Sequence, residues 1–220
     1  MKVKAVIFDM DGVIIDSEPF WQQAQITALA AHNVQATVEQ CESLTKGKRL
    51  DEIARVWCQH FNLPSQPRQL EQAILHHVTT SITANGKALP GVEATLRALQ
   101  QRNCRIALAT SSSHRVIDAV FDKLQLRHYF EIVSSADNEP RGKPDPAVYL
   151  STARKLALPA TDCLVVEDSL NGFRAAQSAG MAVFMVSPDC HNPNFLEADG
   201  RYLSLPEMLA ALPEPAAQPV

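Results

Sequence analysis

Two carboxylates, Asp9 and Asp11, stand two residues apart where the apolar run of residues 3–8 gives way to a polar stretch. Acids at the exit of a buried strand are costly to desolvate unless a cation or a chemical task compensates them. In extended backbone, residues i and i+2 point the same way, and Gly12 lets the chain turn sharply just beyond them. One carboxylate of such a pair can attack phosphorus and become an aspartyl-phosphate. Its neighbour can give a proton to the leaving oxygen and then take one from water. Mg²⁺ suits such a site, because it binds one or two carboxylates together with substrate phosphate and water. Taken alone, the pair is also compatible with an acid-rich turn after a strand.

Three further clusters carry the same kind of chemistry. Thr110-Ser111-Ser112-Ser113-His114 ends an apolar run and opens a helical pattern. Hydroxyls and free N–H groups at a helix start cradle phosphate; the alternative is plain capping by Ser112 or Ser113. In Arg141-Gly142-Lys143-Pro144-Asp145-Pro146 the prolines stiffen the segment that carries Lys143. A cation fixed there would balance a phosphate and an attacking carboxylate; a solvated basic loop before a helix is the other reading. Glu167-Asp168-Ser169 follows an apolar run and precedes Asn171-Gly172. Two adjacent acids there can complete an oxygen-ligand site for a hard cation, or Asp168 or Ser169 can cap the next helix.

The elements that must position these residues follow from the apolar patterning. Residues 4–8, 106–109, 163–166 and 182–186 read as buried strands, and 131–134 as a weaker fifth. Stretches of helical period over 92–102, 114–124, 146–156 and 172–179 separate them. Alternating strand and helix predicts an α/β fold with a doubly wound, Rossmann-like parallel sheet. Ligands sit outside the carboxyl ends of such strands. The four clusters therefore converge on one rim. They supply a nucleophile pair, a hydroxyl cradle, a cation and a second acid pair, the parts that phosphoryl transfer to a carboxylate requires.

The first crossover departs from the pattern. No strand is evident between residues 16 and 86, and 24–31, 49–61 and 69–82 have apolar residues at helical spacing. We expect a helical cap over 16–86, inserted after the first strand into a core of 1–15 and 87–212. Linkers near 16–20 and 85–91 join the two, and Asn85-Gly86 and Pro90-Gly91 are turn chemistry suited to a hinge. Residues 213–220, rich in Pro and Ala, are expected to be disordered.

A net charge of −4 gives no electrostatic case for binding nucleic acid or an anionic membrane. No apolar run reaches the roughly 18 residues of a membrane span, and nothing at the start reads as a signal peptide. The five scattered cysteines contain no CxxC pattern, so reduced thiols and a cytoplasmic protein are expected. Nothing demands assembly, and a monomer is expected.

The motifs now carry a resemblance. Phe8-Asp9-Met10-Asp11-Gly12-Val13-Ile14-Ile15-Asp16-Ser17-Glu18-Pro19, with Thr110, Gly142-Lys143-Pro144 and Glu167-Asp168-Ser169-Leu170-Asn171-Gly172, resembles the haloacid dehalogenase superfamily in family order. The place of the insert resembles the β-phosphoglucomutase-like group with a small helical cap. The wording is closest to bacterial 2-deoxyglucose-6-phosphate and hexitol-phosphate phosphatases. The resemblance implies that Asp9 is the nucleophile and a Mg²⁺ ligand. It makes Asp11 the general acid/base, which also binds the metal through its main-chain carbonyl. Thr110 and the Ser111 N–H would bind phosphate, and Lys143 would be the cation on the phosphoryl group. Asp168 would ligate Mg²⁺, with Glu167 doing so directly or through water. Thr45-Lys46-Gly47-Lys48-Arg49-Leu50-Asp51 resembles the family's specificity loop, so Gly47, Lys48 and Arg49 are expected to reach the substrate.

Dehalogenases proper lack the second Asp, so Asp11 argues against dehalogenation. The mutases carry a histidine at the cap hinge where Trp21 falls here. The expected function is a Mg²⁺-dependent phosphatase of small sugar or sugar-alcohol phosphates, working through an aspartyl-phosphate. The alternatives are a β-phosphoglucomutase-type sugar phosphomutase or a phosphosugar-binding protein without turnover.

Overall fold

β1 (Ala5–Phe8) is buried at all four positions, as is the whole of β4 (Cys163–Glu167) beside it. Strands buried on both faces are the mark of a parallel sheet covered by helices on each side. The computed structural model describes residues 3–63 and 67–212. Within them β1, β4, β2 (Arg105–Thr110), β3 (Ile132–Ser135), β5 (Ala182–Val186) and β6 (Gly200–Tyr202) form one parallel sheet in the order β3-β2-β1-β4-β5-β6. The order reverses between β1 and β4, the crevice where doubly wound sheets bind ligands.

Alternation along the strands divides the core. Val6, Phe8, Leu108 and Val166 face one side, with Leu96, Val120, Phe121 and Phe130. Ala5, Ile7, Ala107 and Val165 face the other, with Tyr149, Phe173 and Ala176. Apart from Phe130, which precedes β3, the residues covering the sheet come from α5 (Val92–Gln101), α6 (His114–Leu124), α7 (Ala147–Lys155) and α8 (Leu170–Ser178), and α9 (Leu205–Ala211) closes the described chain.

The insertion between β1 and α5 is helical throughout its elements: α1 (Glu18–Ala30), α2 (Val38–Leu44), α3 (Leu50–His60) and α4 (Pro67–Asn85). In α4, Leu70, Ile74, Val78 and Ile82 recur every fourth residue and are fully buried, a stripe that packs on α1, α3 and α6. A polar hub sits among them. The buried Gln25 carboxamide oxygen accepts from the Trp57 indole and the Thr45 hydroxyl, each at 2.8 Å, and its amide nitrogen donates to the Trp21 carbonyl.

Three elements escaped the apolar pattern: β6, α2 and α9. β6 is three residues with no apolar run, placed only by pairing with β5. α2 is announced by a capping box instead: Thr37 Oγ1 accepts the Gln40 N–H while the Gln40 side chain accepts the Thr37 N–H. The expected disorder of 213–220 lies outside the described residues. Among those residues, no helix is long and apolar enough to cross a membrane.

Candidate active site

The register of the sheet delivers the motifs to one place. Phe8 pairs with Leu108 on one side and with Val166 on the other. The residues following each therefore emerge together, and the Asp9 N–H is tied to the Val166 carbonyl at 3.0 Å. Asp9, Asp11, Thr110, Ser111, Lys143 and Asp168 line one cavity, which the insertion closes with Glu18, Trp21, Gln25 and the loop Thr45-Lys46-Gly47-Lys48.

Lys143 is the hub of the floor. It is buried, and its ammonium donates to Asp9 Oδ1 at 2.8 Å, Glu167 Oε1 at 2.7 Å and the Ala109 carbonyl at 3.1 Å. Its three protons are thus all used, and the Tyr149 ring lies 4.8 Å away. Burial works against its charge, but Asp9 and Glu167 outweigh that and hold its pKa above the ordinary lysine range. Burial also dominates at Asp9. Lys143 opposes it while Glu167 and Asp11 add to it, and the carboxyl is pushed up to about 7.

Glu167 is fully enclosed. Oε1 accepts from Lys143 and from the Tyr149 hydroxyl at 2.6 Å, and Oε2 from the Asp168 and Ser169 N–H groups and the Ser169 hydroxyl. Burial alone would raise its pKa; Lys143 and these donors reverse the sign. The space it occupies exists because residue 172 is glycine. A Cβ there would lie 1.7 Å from Glu167 Oε1.

Asp168 differs. No hydrogen bond or ion pair reaches its carboxylate among the described residues. Burial first, then Glu167 and Asp9, push its pKa well up. Gly12, at φ +78°, lets it approach: a Cβ there would lie 2.2 Å from Asp168 Oδ2. Asp9, Glu167 and Asp168 bring oxygen atoms within 4.8 Å of one another. Three acids against one buried ammonium leave an uncompensated, oxygen-only donor set, which fits a hard divalent cation.

Asp11 faces the other way. Oδ1 accepts from the Ser17 hydroxyl at 2.5 Å and the Trp21 indole at 3.0 Å. Oδ2 accepts from the Ser112 hydroxyl at 2.7 Å and, at 3.5 Å, from Thr110. Thr110 Oγ1 itself accepts the Ser112 N–H. The buried Ser111 hydroxyl has no partner among the described residues. A hydroxyl without a partner on the cavity wall is what an anion's oxygens would complete.

The insertion contributes unequally. Gly47 and Lys48 line the cavity. Arg49 does not, and the expectation that it reaches the substrate is corrected. As N-cap of α3 it turns to the core, giving Nη1 to the Ala136 and Glu139 carbonyls at 3.1 and 2.8 Å and pairing with both oxygens of Asp51. Glu18 and Lys46 were not foreseen as cavity groups. Burial raises the Glu18 pKa and Lys46 opposes it. Their signal was available, since Lys46 adjoins Gly47 and Glu18 opens the first insertion helix. Tyr149 had no such signal, because only the fold brings it to Glu167, and the hydroxyl cluster that contains Ser112 did not point to its bond with Asp11.

Comparison with known proteins agrees with this geometry. A family model described as haloacid dehalogenase-like hydrolase matches residues 3–180. Hexitol phosphatase B of Escherichia coli is 33% identical over 213 residues, covering 95% of this chain and 96% of that protein. A fructose-1-phosphate phosphatase of Escherichia coli is 30% identical over 176 residues, 80% of this chain and 92% of that one. The crystal structure of CbbY from Rhodobacter sphaeroides in complex with phosphate superposes with a TM-score of 0.84 at 24% identity, covering 94% of this chain and 96% of that one.

Proposed function

The chain belongs to the haloacid dehalogenase-like hydrolase family and is a phosphoric monoester hydrolase; from that premise we propose that it dephosphorylates small sugar or sugar-alcohol phosphates, with Mg²⁺ as its metal. The observation that carries the reading is the asymmetry of the two acids. Asp9 is bound to a buried ammonium, while Asp11 is turned toward hydroxyls and an indole across the same cavity.

In this reading Asp9 attacks phosphorus as the P–O bond to the sugar breaks, and Asp11 gives its proton to the departing oxygen. Water then attacks the aspartyl-phosphate and yields a proton to Asp11, so that phosphate leaves and both acids are restored. Thr110, Ser112 and the Ser111 hydroxyl hold the phosphoryl oxygens, and Lys143 favours the ionised form of Asp9 and aims it. Asp9 and Asp168 would hold the metal, with Glu167 supporting it through water because both its oxygens are occupied. When bound, the metal offsets acid and phosphoryl charge. The helices of residues 16–86 act as a cap that closes over the sugar and keeps out bulk water. A cytoplasmic setting suits such metabolites.

The test is phosphate release from a panel of hexose and hexitol phosphates, with Mg²⁺ and with chelator. Release that depends on the metal supports the reading. Conversion of β-glucose-1-phosphate with a bisphosphate activator into glucose-6-phosphate, without free phosphate, would make the protein a mutase and overturn it.

A further inference from the structure

Among the groups that hold Asp11, one differs in kind. Ser17, Ser112 and Thr110 present hydroxyls, which can donate or accept. The Trp21 indole N–H can only donate. It lies 3.0 Å from Asp11 Oδ1, and its ring is nine-tenths buried at the wall of the cavity. In the ionised state of Asp11 every neighbouring hydroxyl can point at the carboxylate. In the protonated state one oxygen must donate, and the hydroxyl beside it must reverse. A proton on Oδ1 could turn to Ser17, but the indole N–H would then fall on the O–H oxygen, a poorer acceptor than the carbonyl oxygen that Oδ1 becomes when Oδ2 carries the proton. Oδ2, between Ser112 at 2.7 Å and Thr110 at 3.5 Å, has only reversible partners.

The geometry points to Trp21 as a positioning residue that assigns the transferable proton of Asp11 to Oδ2, the oxygen on the phosphate-cradle side. The proton is then delivered from Oδ2 to the leaving oxygen as the P–O bond breaks and Asp9 bonds to phosphorus. It returns to Oδ2 from water in the second step. Because Trp21 sits on α1, the first helix of the insertion, the same contact ties the orientation of the proton donor to the seating of the cap. This rests on the reading of Asp11 as general acid/base.

A leaving group that departs readily as an anion needs no proton, whereas a poor one does. The experiment measures kcat/KM for a series of ring-substituted aryl phosphates of nearly constant size, with acetyl phosphate as the member needing no proton. The wild type, Trp21→Phe, Ser17→Ala and Asp11→Asn are compared. Phenylalanine keeps the apolar bulk and removes only the N–H. With the proton delivered, the wild type depends weakly on leaving-group acidity. Trp21→Phe should steepen that dependence, losing about ten- to a hundredfold on unsubstituted phenyl phosphate and less than about twofold on acetyl phosphate. Ser17→Ala, which removes a reversible partner, should stay closer to the wild type.

A uniform loss across the series, or no change, for Trp21→Phe would overturn the proposal and leave the tryptophan as packing. The uniform loss would include the case of a damaged fold, which acetyl phosphate turnover detects. If Asp11→Asn shows no steeper dependence than the wild type, the general-acid reading itself fails. If Asp11→Asn is steep and Trp21→Phe is not, only the role of Trp21 falls.

Discussion

Replacing Asp168 by Asn should stabilise the metal-free protein, an unusual direction for a change at a partly buried polar position. Asp9, Glu167 and Asp168 hold oxygens within 4.8 Å of each other. At an effective dielectric of about 20, each like-charged pair at that distance costs about 3.5 kcal/mol. Asp168→Asn removes two such repulsions at nearly constant shape and gives up smaller attractions to Lys46 and Lys143, both of which act on Asp168. A net gain of about 3 kcal/mol is expected above neutral pH, or roughly 6–12 °C in melting temperature for a chain of this size.

The pH dependence has a definite sign. The Asp9 carboxyl rises from 3.8 to about 7 on folding, and Asp168 moves in the same direction. The folded chain therefore binds more protons than the unfolded chain between about pH 4 and 7. These groups lower stability as pH rises through that window, and the advantage of the variant should shrink as pH falls to 5. Mg²⁺ reverses the comparison. A metal that binds only the folded wild type adds about 2.7 kcal/mol at a hundredfold excess over Kd, and the variant gains much less. The assay is thermal unfolding of both proteins at pH 5 and 7.5, in chelator and in Mg²⁺. If the variant melts at or below the wild type in chelator at pH 7.5, or Mg²⁺ shifts both alike, the charge argument for a metal at this rim is wrong.

Other perturbations probe neighbouring parts. Asp9→Asn should remove nearly all steady turnover while leaving the fold intact; substantial hydrolysis by a verified, undeamidated variant would exclude Asp9 as nucleophile. Gly172→Ala should lower stability by about 3 kcal/mol or more and nearly abolish activity, because Glu167 must leave Lys143 and Tyr149 to admit the methyl group. Denaturant unfolding and turnover together would show it. Gln25→Leu should cost about 2–4 kcal/mol in denaturant unfolding, since the buried Trp57 N–H and Thr45 hydroxyl lose their shared acceptor. Arg49→Ala should raise KM for large and small substrates by similar factors in steady-state assays, since it holds the insertion to the core; a loss confined to large substrates would return it to the binding surface.

The sheet was legible where strands are buried on both faces. Apart from Lys4 at the start of the first, the runs ending at Phe8, Ala109 and Val166 carry no polar residue, and the chemistry-bearing residues follow directly at their ends. β6 was illegible because Gly200-Arg201-Tyr202 pairs at an edge and has no pattern of its own. Residue type was enough to gather the core of the candidate site, since the backbone alone brings Lys143, Asp9 and Asp168 together. The insertion side was not. Arg49 and Lys48 are adjacent cations with the same local signal, and the start of α3 turns one to the core and leaves the other facing the cavity. Nor does periodicity mark Gln25 as polar within α1, because its partners Thr45 and Trp57 come from the α2–α3 connection and α3.

The Arg49 clasp has a meaning for how such a molecule can change over time. Its core partners are the main-chain oxygens of Ala136 and Glu139, which any residue at those positions would supply. The contact is therefore indifferent to the side chains of the core, except at Gly142, where a Cβ would lie 2.7 Å from the Arg49 side chain. A helical insertion that keeps an arginine at this turn keeps this one tie on any sister scaffold that keeps the glycine, while α4 must still match the face of α6. In the proposed reading, side chains of the insertion that meet the substrate can then change while this tie to the core is kept.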